Sequence, residues 1–467
     1  MNGDFMICVS VAASTIAEMK AKCYSAMERG AHMVEFRLDA LSDPVADAIV
    51  EIARLPCRKI ATVKGNALRL LSCREGLHVL SSFDFVDLDL EACTNPPAEL
   101  AGRLILSHHG RIEKLEEARK IMEAELEIGT IAKCIGEAAD YASSLIPLKA
   151  ALMVDGKRCI GFSMGRKGTL SRIAAAHNCP FVYASVSKGE ETAEGQLTLE
   201  EMISACSGHL LGILGSEEAV AHSVSPLLHA AMLKESGMDG AYLRFPASLN
   251  ELDGFMEACR LAGVSGFNVT MPFKERILEY VPPSDRTARK AGAVNTVVMQ
   301  QGGAEGFNTD SLAVAEVLSQ IGMGSALVYG TGGAARAALA ALSGWNVALT
   351  GRNPEKVHIL SREFGTEVYS EGMKDFDVCL NCTPAGMDES LPPSWMEECT
   401  FRHIIDFVYS SHATPFELLA RKKGADFTGG FDILCRQAAH SFRIWTGREF
   451  SHEKLLHLIR GGYVSAV

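Results

Sequence analysis

The stretch Ala326-Leu327-Val328-Tyr329-Gly330-Thr331-Gly332-Gly333-Ala334-Ala335-Arg336 runs from an apolar segment through a glycine-rich turn into an alanine-rich one. The apolar part predicts a short strand over 326–329, and the alanines predict a helix directly after the turn. Gly330, Gly332 and Ala335 stand at Gly-x-Gly-x-x-Ala spacing. The first glycine permits a tight turn and the second lets a pyrophosphate approach the backbone. The small Ala335 allows close helix packing. Backbone N–H groups over Thr331, Gly332, Gly333 and Ala334, with the helix dipole behind them, would then hold phosphates. The next strand, predicted over 345–350, ends in Gly351-Arg352-Asn353, with Lys356 one turn on. A NAD site usually places Asp or Glu here for the ribose 2′-hydroxyl. Arg352 and Lys356 suit a 2′-phosphate instead, so the expected cofactor is NADP.

Outward from this unit, an alternating series of strands and helices runs back to a strand predicted over 210–214 and forward to the end of the chain. A boundary is expected near 206–209. Before it, apolar runs predict strands over 7–11, 32–37, 59–63, 85–90, 103–107, 130–135, 159–163 and 181–184. Helical stretches such as 15–29 and 114–126 lie between them. Eight strands alternating with helices over about 200 residues favour a closed (β/α)8 barrel, whose chemistry sits at the C-terminal strand ends. Glu35, Arg37, Asp39, Ser107, His109, Lys133, Ser163, Met164 and Ser185 fall at such ends.

The chain of 467 residues is 48% apolar and 22% charged, with a net charge of −12. It carries no basic block, which argues against nucleic acid as a partner. Its longest apolar candidate, 334–350, is broken by Arg336, Ser343 and Gly344. A bilayer span needs about 18–20 apolar residues, so no membrane partner is expected. Residues 1–10 contain Asp4 and no basic residue, unlike a secretory signal. The 14 cysteines are scattered singly through apolar segments, as suits reduced thiols in a cytoplasm. Cys379 and Cys382 form one Cys-x-x-Cys, but on a strand residues three apart point to opposite faces. No second pair follows at zinc spacing, so no metal site is expected.

Several polar clusters carry chemistry. In Glu35-Phe36-Arg37-Leu38-Asp39 the charged residues alternate, which on a strand puts all three on one face. Lys133 lies inside the apolar run Thr130-Ile131-Ala132-Lys133-Cys134-Ile135. Burial should lower its pKa, and a neutral amine is what imine formation with a ketone requires. The C-terminal half holds four further clusters. They are His222-Ser223-Val224-Ser225-Pro226 with His229; Asn268-Val269-Thr270-Met271-Pro272-Phe273-Lys274; Asn295-Thr296 with Asn308-Thr309-Asp310; and Gln437 leading to Trp445-Thr446-Gly447. Each alone also reads as turn or capping chemistry.

Taken together, the four clusters and the glycine turn resemble the shikimate dehydrogenase family over nearly all of 209–467. The resemblance implies that Ser223 and Ser225 hold the substrate carboxylate. It also implies that Thr270, Asn295, Tyr409 and Gln437 contact the substrate and that Lys274 and Asp310 are the catalytic pair. Asn381-Cys382-Thr383-Pro384-Ala385-Gly386-Met387 resembles the loop beside the nicotinamide, which adds Thr383 to the cofactor residues. Thr331 stands where the family usually has Ala.

Residues 1–207 are similar to type I 3-dehydroquinate dehydratase. On that resemblance Lys133 forms the imine and His109 is the acid/base. Glu35 and Arg37 lie at the substrate strand end, Arg172 pairs with the substrate carboxylate, and Thr192 and Gln196 belong to a closing loop. Ala193-Glu194-Gly195-Gln196 replaces the usual Ala-Pro-Gly-Gln, and Thr192 replaces a common Ser. Lys64, Arg69 and Arg74 all compete for one further basic position. The implied architecture is a barrel over 1–207, an α/β substrate domain over 208–309 and 430–467, and a Rossmann-like NADP domain over 310–429. The implied function is bifunctional. 3-Dehydroquinate is dehydrated to 3-dehydroshikimate, which NADPH then reduces to shikimate. Two other readings stay open: oxidation of quinate by the second half, and a metabolite sensor that has lost chemistry in one half.

Overall fold

The structure is a computed structural model and describes residues 5–92, 95–387, 391–410 and 412–459. The chain forms two compact units. One comprises 1–210 with 239–241 and 250–264; the other comprises 211–238, 242–249 and 265–467.

The first unit is built on eight parallel strands: β1 (Ile7–Val11), β2 (Met33–Arg37), β3 (Lys59–Thr62), β4 (Phe85–Asp89), β5 (Leu104–Gly110), β6 (Ile131–Glu137), β7 (Cys159–Met164) and β8 (Val182–Ser185). Their order is β7-β6-β5-β4-β3-β2-β1-β8, a nearly closed barrel. All eight match expected strands, with ends that differ by up to three residues. The physical reason for their legibility is burial on both faces. β1 and β3 are buried at every position, as expected for parallel strands covered by helices. Outside the strands, Ala118 and Met122 of the Leu115–Ile128 helix pack with Ala132, Cys134, Ala150 and Cys159. Register then places polar residues together inside: Ser10 beside Glu35, Thr62 beside Asp87 and Ser107 beside Lys133.

One expectation about a strand face fails. β2 stops at Arg37, and Asp39 lies in the 3-10 turn Leu38–Ala40. Asp39 therefore does not continue the face of Glu35 and Arg37. It chelates the Arg37 guanidinium from the turn, at 2.9 and 2.6 Å.

The second unit holds one sheet whole and most of another. One contains β9 (His209–Gly215), β10 (Gly240–Pro246), β11 (Gly266–Val269), β12 (Thr296–Gln300) and β13 (Gly303–Phe307), in the order β10-β9-β11-β12-β13. The other is parallel. It contains β14 (Ser325–Tyr329), β15 (Asn346–Thr350), β16 (Glu367–Val368), β17 (Asp375–Asn381), β18 (Thr400–Asp406) and β19 (Asp426–Thr428), in the order β16-β15-β14-β17-β18-β19. The strand order reverses at β14, and the crevice beyond the C-terminal end of such a strand is where ligands bind in open α/β sheets. Cys379 belongs to the core on one face of this sheet and Cys382 packs against the core on the other. The Cys-x-x-Cys is thus split across a strand. Among the described residues no helix is long and apolar enough to cross a membrane.

Candidate active sites

In the barrel interior Lys133 meets the expected Glu35 and also Asp87, which the sequence did not single out. Its Nζ lies 2.6 Å from Asp87 Oδ2 and 3.9 Å from Glu35 Oε1. Glu35 is held by the Ser10 and Thr62 hydroxyls at 2.5 and 2.6 Å. Asp87 accepts from Ser107 Oγ at 2.7 Å. The expectation of a lowered lysine pKa is overturned. Burial does oppose the charge, but the Asp87 and Glu35 carboxylates outweigh it, so the Lys133 pKa is raised. The resting side chain is an ammonium paired with a carboxylate.

His109 is neutral, with its pKa pulled down to about 3 by burial and by the Lys133 and Lys64 cations. Lys64 Nζ lies 3.5 Å from His109 Nδ1 and 2.5 Å from Asp89 Oδ1. Of the three competing basic residues, Lys64 alone reaches this group. Arg69 is turned to Asp43 and the Pro44 carbonyl, and Arg74 is exposed at a helix start.

Arg172 is 1% exposed, and its Nε and one terminal nitrogen have no hydrogen-bond partner among the described residues. Its guanidinium lies 4.5 Å over the Phe162 ring, and burial lowers its pKa to about 10. It remains a cation at neutral pH, short of acceptors inside the protein. The preceding turn is fixed by Ser171 Oγ, which accepts from Ser163 N–H at 3.0 Å and donates to Gly168 O at 2.7 Å. Gln196 Oε1 accepts from Thr192 N–H and Oγ1 at 2.7 and 3.2 Å. Between them Gly195 takes φ +69°, and a Cβ there would fall 2.4 Å from Gly165 O. Glu194 contributes only its carbonyl to Gly165 N–H. A proline offers the same carbonyl, so the substitution in this loop is accommodated.

Asp87, Tyr183 and Glu125, all near Lys133, were not singled out from sequence. The Tyr183 ring centroid lies 4.4 Å from its Nζ. Behind the strand, buried Glu125 accepts from the Lys133 backbone N–H at 3.0 Å, while its Oε1 has no partner among the described residues. Ala118, Met122 and Glu125 follow one helix face, a spacing that could have marked Glu125 as buried. Burial raises the Glu125 carboxyl from the usual carboxylate range to about 9. Between those two values the folded chain holds a proton that the unfolded chain has lost, so stability falls as pH rises. Glu125→Gln should flatten that fall. Urea midpoints measured from about pH 5 to about pH 9 check it, and slopes that match wild type would refute the neutral carboxyl.

In the second unit Lys274 Nζ lies 2.7 Å from Asp310 Oδ2. The lysine stem passes over the start of the Gly333–Ala341 helix, where a Cβ on Gly333 would come within 3.1 Å of Lys274 Cδ. Asn295 Oδ1 accepts from Thr309 N–H at 2.7 Å, and Thr309 Oγ1 donates to Gln437 Oε1 at 3.3 Å. Hydroxyls of Thr296, Thr309 and Ser441 close a buried network with Asn268 at 2.9–3.1 Å. This network brings Asn295 and Gln437 together, although Ser441 gave no signal in the sequence. Ser223 Oγ accepts from Ser225 N–H at 3.3 Å, and Arg244 holds the Ser223 carbonyl at 2.9 Å. Thr270 follows β11, in the turn that leads to the Phe273–Arg276 helix carrying Lys274. Tyr409 packs on Phe431 at 5.4 Å and lines a cavity of about 400 Å³ with Arg436 and Asp432.

The glycine turn fits a dinucleotide. Gly330 has φ +133°, and a Cβ there would lie 2.8 Å from Cys382 O. Among the described residues no side chain caps the helix that follows Gly332, which leaves its first N–H groups for phosphate. Thr331 Cγ2 lies against Gly351. Arg352 and Lys356 are exposed past β15, with no ion-pair partner among the described residues. Thr383 is fixed by Asn381 Oδ1 at 2.7 Å, and its Oγ1 accepts from Ala385 N–H at 3.1 Å.

A family model for type I 3-dehydroquinase matches residues 7–209, and one for the shikimate dehydrogenase substrate binding domain matches 214–297. The chain is 33% identical over 262 residues to a shikimate dehydrogenase (NADP(+)) of Methanothermobacter thermautotrophicus, covering 52% of this chain and 92% of that protein. It is 34% identical over 270 residues to the like-named protein of Oleidesulfovibrio alaskensis, covering 55% and 96%. Among solved structures it is similar to shikimate 5-dehydrogenase from Thermus thermophilus in complex with NADP(H) and shikimate. That likeness has 33% identity, covers 54% of this chain and 99% of that one, and has a TM-score of 0.50.

Proposed function

The chain belongs to the shikimate dehydrogenase family over its C-terminal half and carries a type I 3-dehydroquinase domain before it, and from that premise we propose which residues perform the two reactions. It is a bifunctional enzyme, a lyase that makes 3-dehydroshikimate from 3-dehydroquinate and an NADP-dependent oxidoreductase that makes shikimate. The observation that carries the residue assignment is that each enzyme sets an expected lysine against a carboxylate, Lys133 on Asp87, which the sequence did not single out, and Lys274 on the expected Asp310.

In the barrel, Arg172 receives the substrate carboxylate, which supplies the acceptors its buried nitrogens lack. Lys133 first passes one proton to neutral His109, and the free amine adds to the C3 ketone. The carbinolamine oxygen leaves as water with that proton and a second hydrogen from the nitrogen, and the product is a protonated imine. Neutral His109 takes the C2 proton, and the electron pair moves toward the imine nitrogen. The resulting enamine expels the C1 hydroxyl as water, with the proton returned through His109. Hydrolysis then frees the product and Lys133. Glu35, Arg37, Thr192 and Gln196 position the substrate, and Lys64 takes the basic position beside His109.

In the second enzyme Ser223 and Ser225 hold the carboxylate, while Thr270, Asn295, Gln437 and Tyr409 bind the rest of the substrate. NADPH, when bound, supplies the hydride. Lys274 gives a proton to the developing alkoxide, and Asp310 orients the ammonium. Gly330, Thr331, Gly332, Gly333 and Ala334 would hold the pyrophosphate, Thr383 would contribute to the nicotinamide end, and Arg352 and Lys356 would hold the 2′-phosphate. We assign the substrate domain to 208–309 and 430–467, the cofactor domain to 310–429, and the dehydratase to 1–207. Free thiols throughout the described cysteines support a reducing cytoplasm.

The full chain given 3-dehydroquinate and NADPH should oxidise NADPH, which requires both reactions. Oxidation with 3-dehydroshikimate but not with 3-dehydroquinate would refute the barrel assignment. Arg352→Asp should raise the KM for NADPH by roughly 10- to 100-fold, the worth of a charge-assisted phosphate contact. Equal losses with NADH and NADPH in steady-state kinetics would remove Arg352 from cofactor choice.

A further inference from the structure

The Tyr183 ring points at the reacting nitrogen of the barrel, and nothing in the mechanism above uses it. β8 sets Tyr183 opposite Cys8 of β1, and its centroid lies 4.4 Å from Lys133 Nζ. Both side chains are nearly fully buried, at 4% and 5% exposure. Phe181 steadies the ring edge-to-face, at 5.5 Å and 69°. The phenol oxygen is buried with no hydrogen-bond partner among the described residues. The hydroxyl therefore does not explain the placement; the ring face does.

We infer that Tyr183 is a catalytic residue of the dehydratase, whose ring face keeps the Lys133 imine nitrogen protonated by a cation–π contact. The inference rests on Lys133 being the imine-forming residue. It follows from counting N–H groups. The resting ammonium has three. Condensation sends two hydrogens away in water, and the iminium keeps one N–H and the positive charge. That single N–H serves Asp87, the carboxylate already at 2.6 Å. Glu35 Oε1, at 3.9 Å, is beyond hydrogen-bond reach. A ring face attracts charge without needing an N–H, so its contact survives the change from ammonium to iminium. Burial strengthens it, because no water competes. The phenol itself stays neutral, since burial and the Glu35 and Asp87 carboxylates hold its pKa well above the ordinary value.

The test keeps the shape and drains the ring. Phenylalanine at 183 serves as the reference, with mono-, di- and trifluorophenylalanine introduced at the same position. Borohydride trapping of 3-dehydroquinate on the full chain is followed by intact mass across alkaline pH. Trapping needs the protonated imine, so its alkaline midpoint should fall stepwise with fluorination. At one fixed pH above the midpoint, trapping should slow by about 3- to 30-fold across the series, the range of a desolvated cation–π contact. A purely structural ring would not move the midpoint in proportion to fluorine count. Equal midpoints with the adduct present overturn the role of Tyr183. No adduct on Lys133 in any variant overturns the imine assignment instead. Reduction of 3-dehydroshikimate by the same preparations reports that the second unit is folded, and the trapped adduct itself reports that the barrel is.

Discussion

Lys133→Ala abolishes dehydration, with kcat falling by about 10⁴-fold or more, the scale expected when a covalent nucleophile is removed. The same protein still reduces 3-dehydroshikimate with NADPH, because the second reaction uses Lys274. The substitution also leaves Asp87 and Glu35 as buried carboxylates without their cation. Breaking such a pair costs about 3–5 kcal/mol, so lost activity alone could reflect a damaged barrel. Lys133→Arg separates the two effects. It restores a cation for Asp87 and cannot form the imine, so it should recover the thermal midpoint without recovering turnover. Dehydration by either variant at more than about a hundredth of the wild-type rate would exceed what general acid–base residues leave behind and would sink the assignment. The dehydration is read directly from enone formation, independent of NADPH.

Lys274→Ala is the second large effect. The alkoxide formed by hydride arrival then has no adjacent ammonium, and kcat for 3-dehydroshikimate should fall by about 10²- to 10⁴-fold. NADPH affinity should hold, since Gly330, the uncapped helix start and Arg352 are untouched. The lysine stem does cross Gly333, where a Cβ would lie only 3.1 Å from Cδ. Removing the stem opens space there, so cofactor binding is measured directly by fluorescence titration. Asp310→Asn keeps the contact to Lys274 but loses its charge, and should lower kcat less than Lys274→Ala does. Unchanged kcat in Lys274→Ala would remove the lysine from the mechanism. A loss carried entirely by KM for NADPH would reassign it to cofactor binding.

Much of the architecture was legible because burial writes a simple pattern. β1 was expected at 7–11 and occupies Ile7–Val11. The strand before the glycine turn gained only Ser325. Lys133 was legible because a lysine inside an apolar run is costly to bury as a cation, whereas the role of His109 came from the family resemblance. Lys133, expected at a strand end, lies inside β6. Asp39 misled because alternation holds only while the strand lasts, and the chain turns after Arg37. Ser441 lay beyond reach. A serine in a long helix has no distinctive neighbours in sequence, and its partners Asn268 and Thr296 are 173 and 145 residues away.

From the sequence alone came the order of strands and helices, the glycine turn with Arg352 beyond it, and both lysines. Local patterns suffice there, since hydrophobic period, turn chemistry and motif spacing act over a few residues. Tertiary structure decided the charge on Lys133. A buried lysine by itself loses its proton more easily, but Asp87, 46 residues back, lies 2.6 Å from its nitrogen and reverses the sign. It also places Lys64 beside His109 and turns Arg69 elsewhere, two of three cations within eleven positions that differ in where the chain points them. Electrostatic energy depends on distance in space and on local dielectric. Neither is set by separation along the chain, so burial could be read from the sequence while its electrical consequence could not.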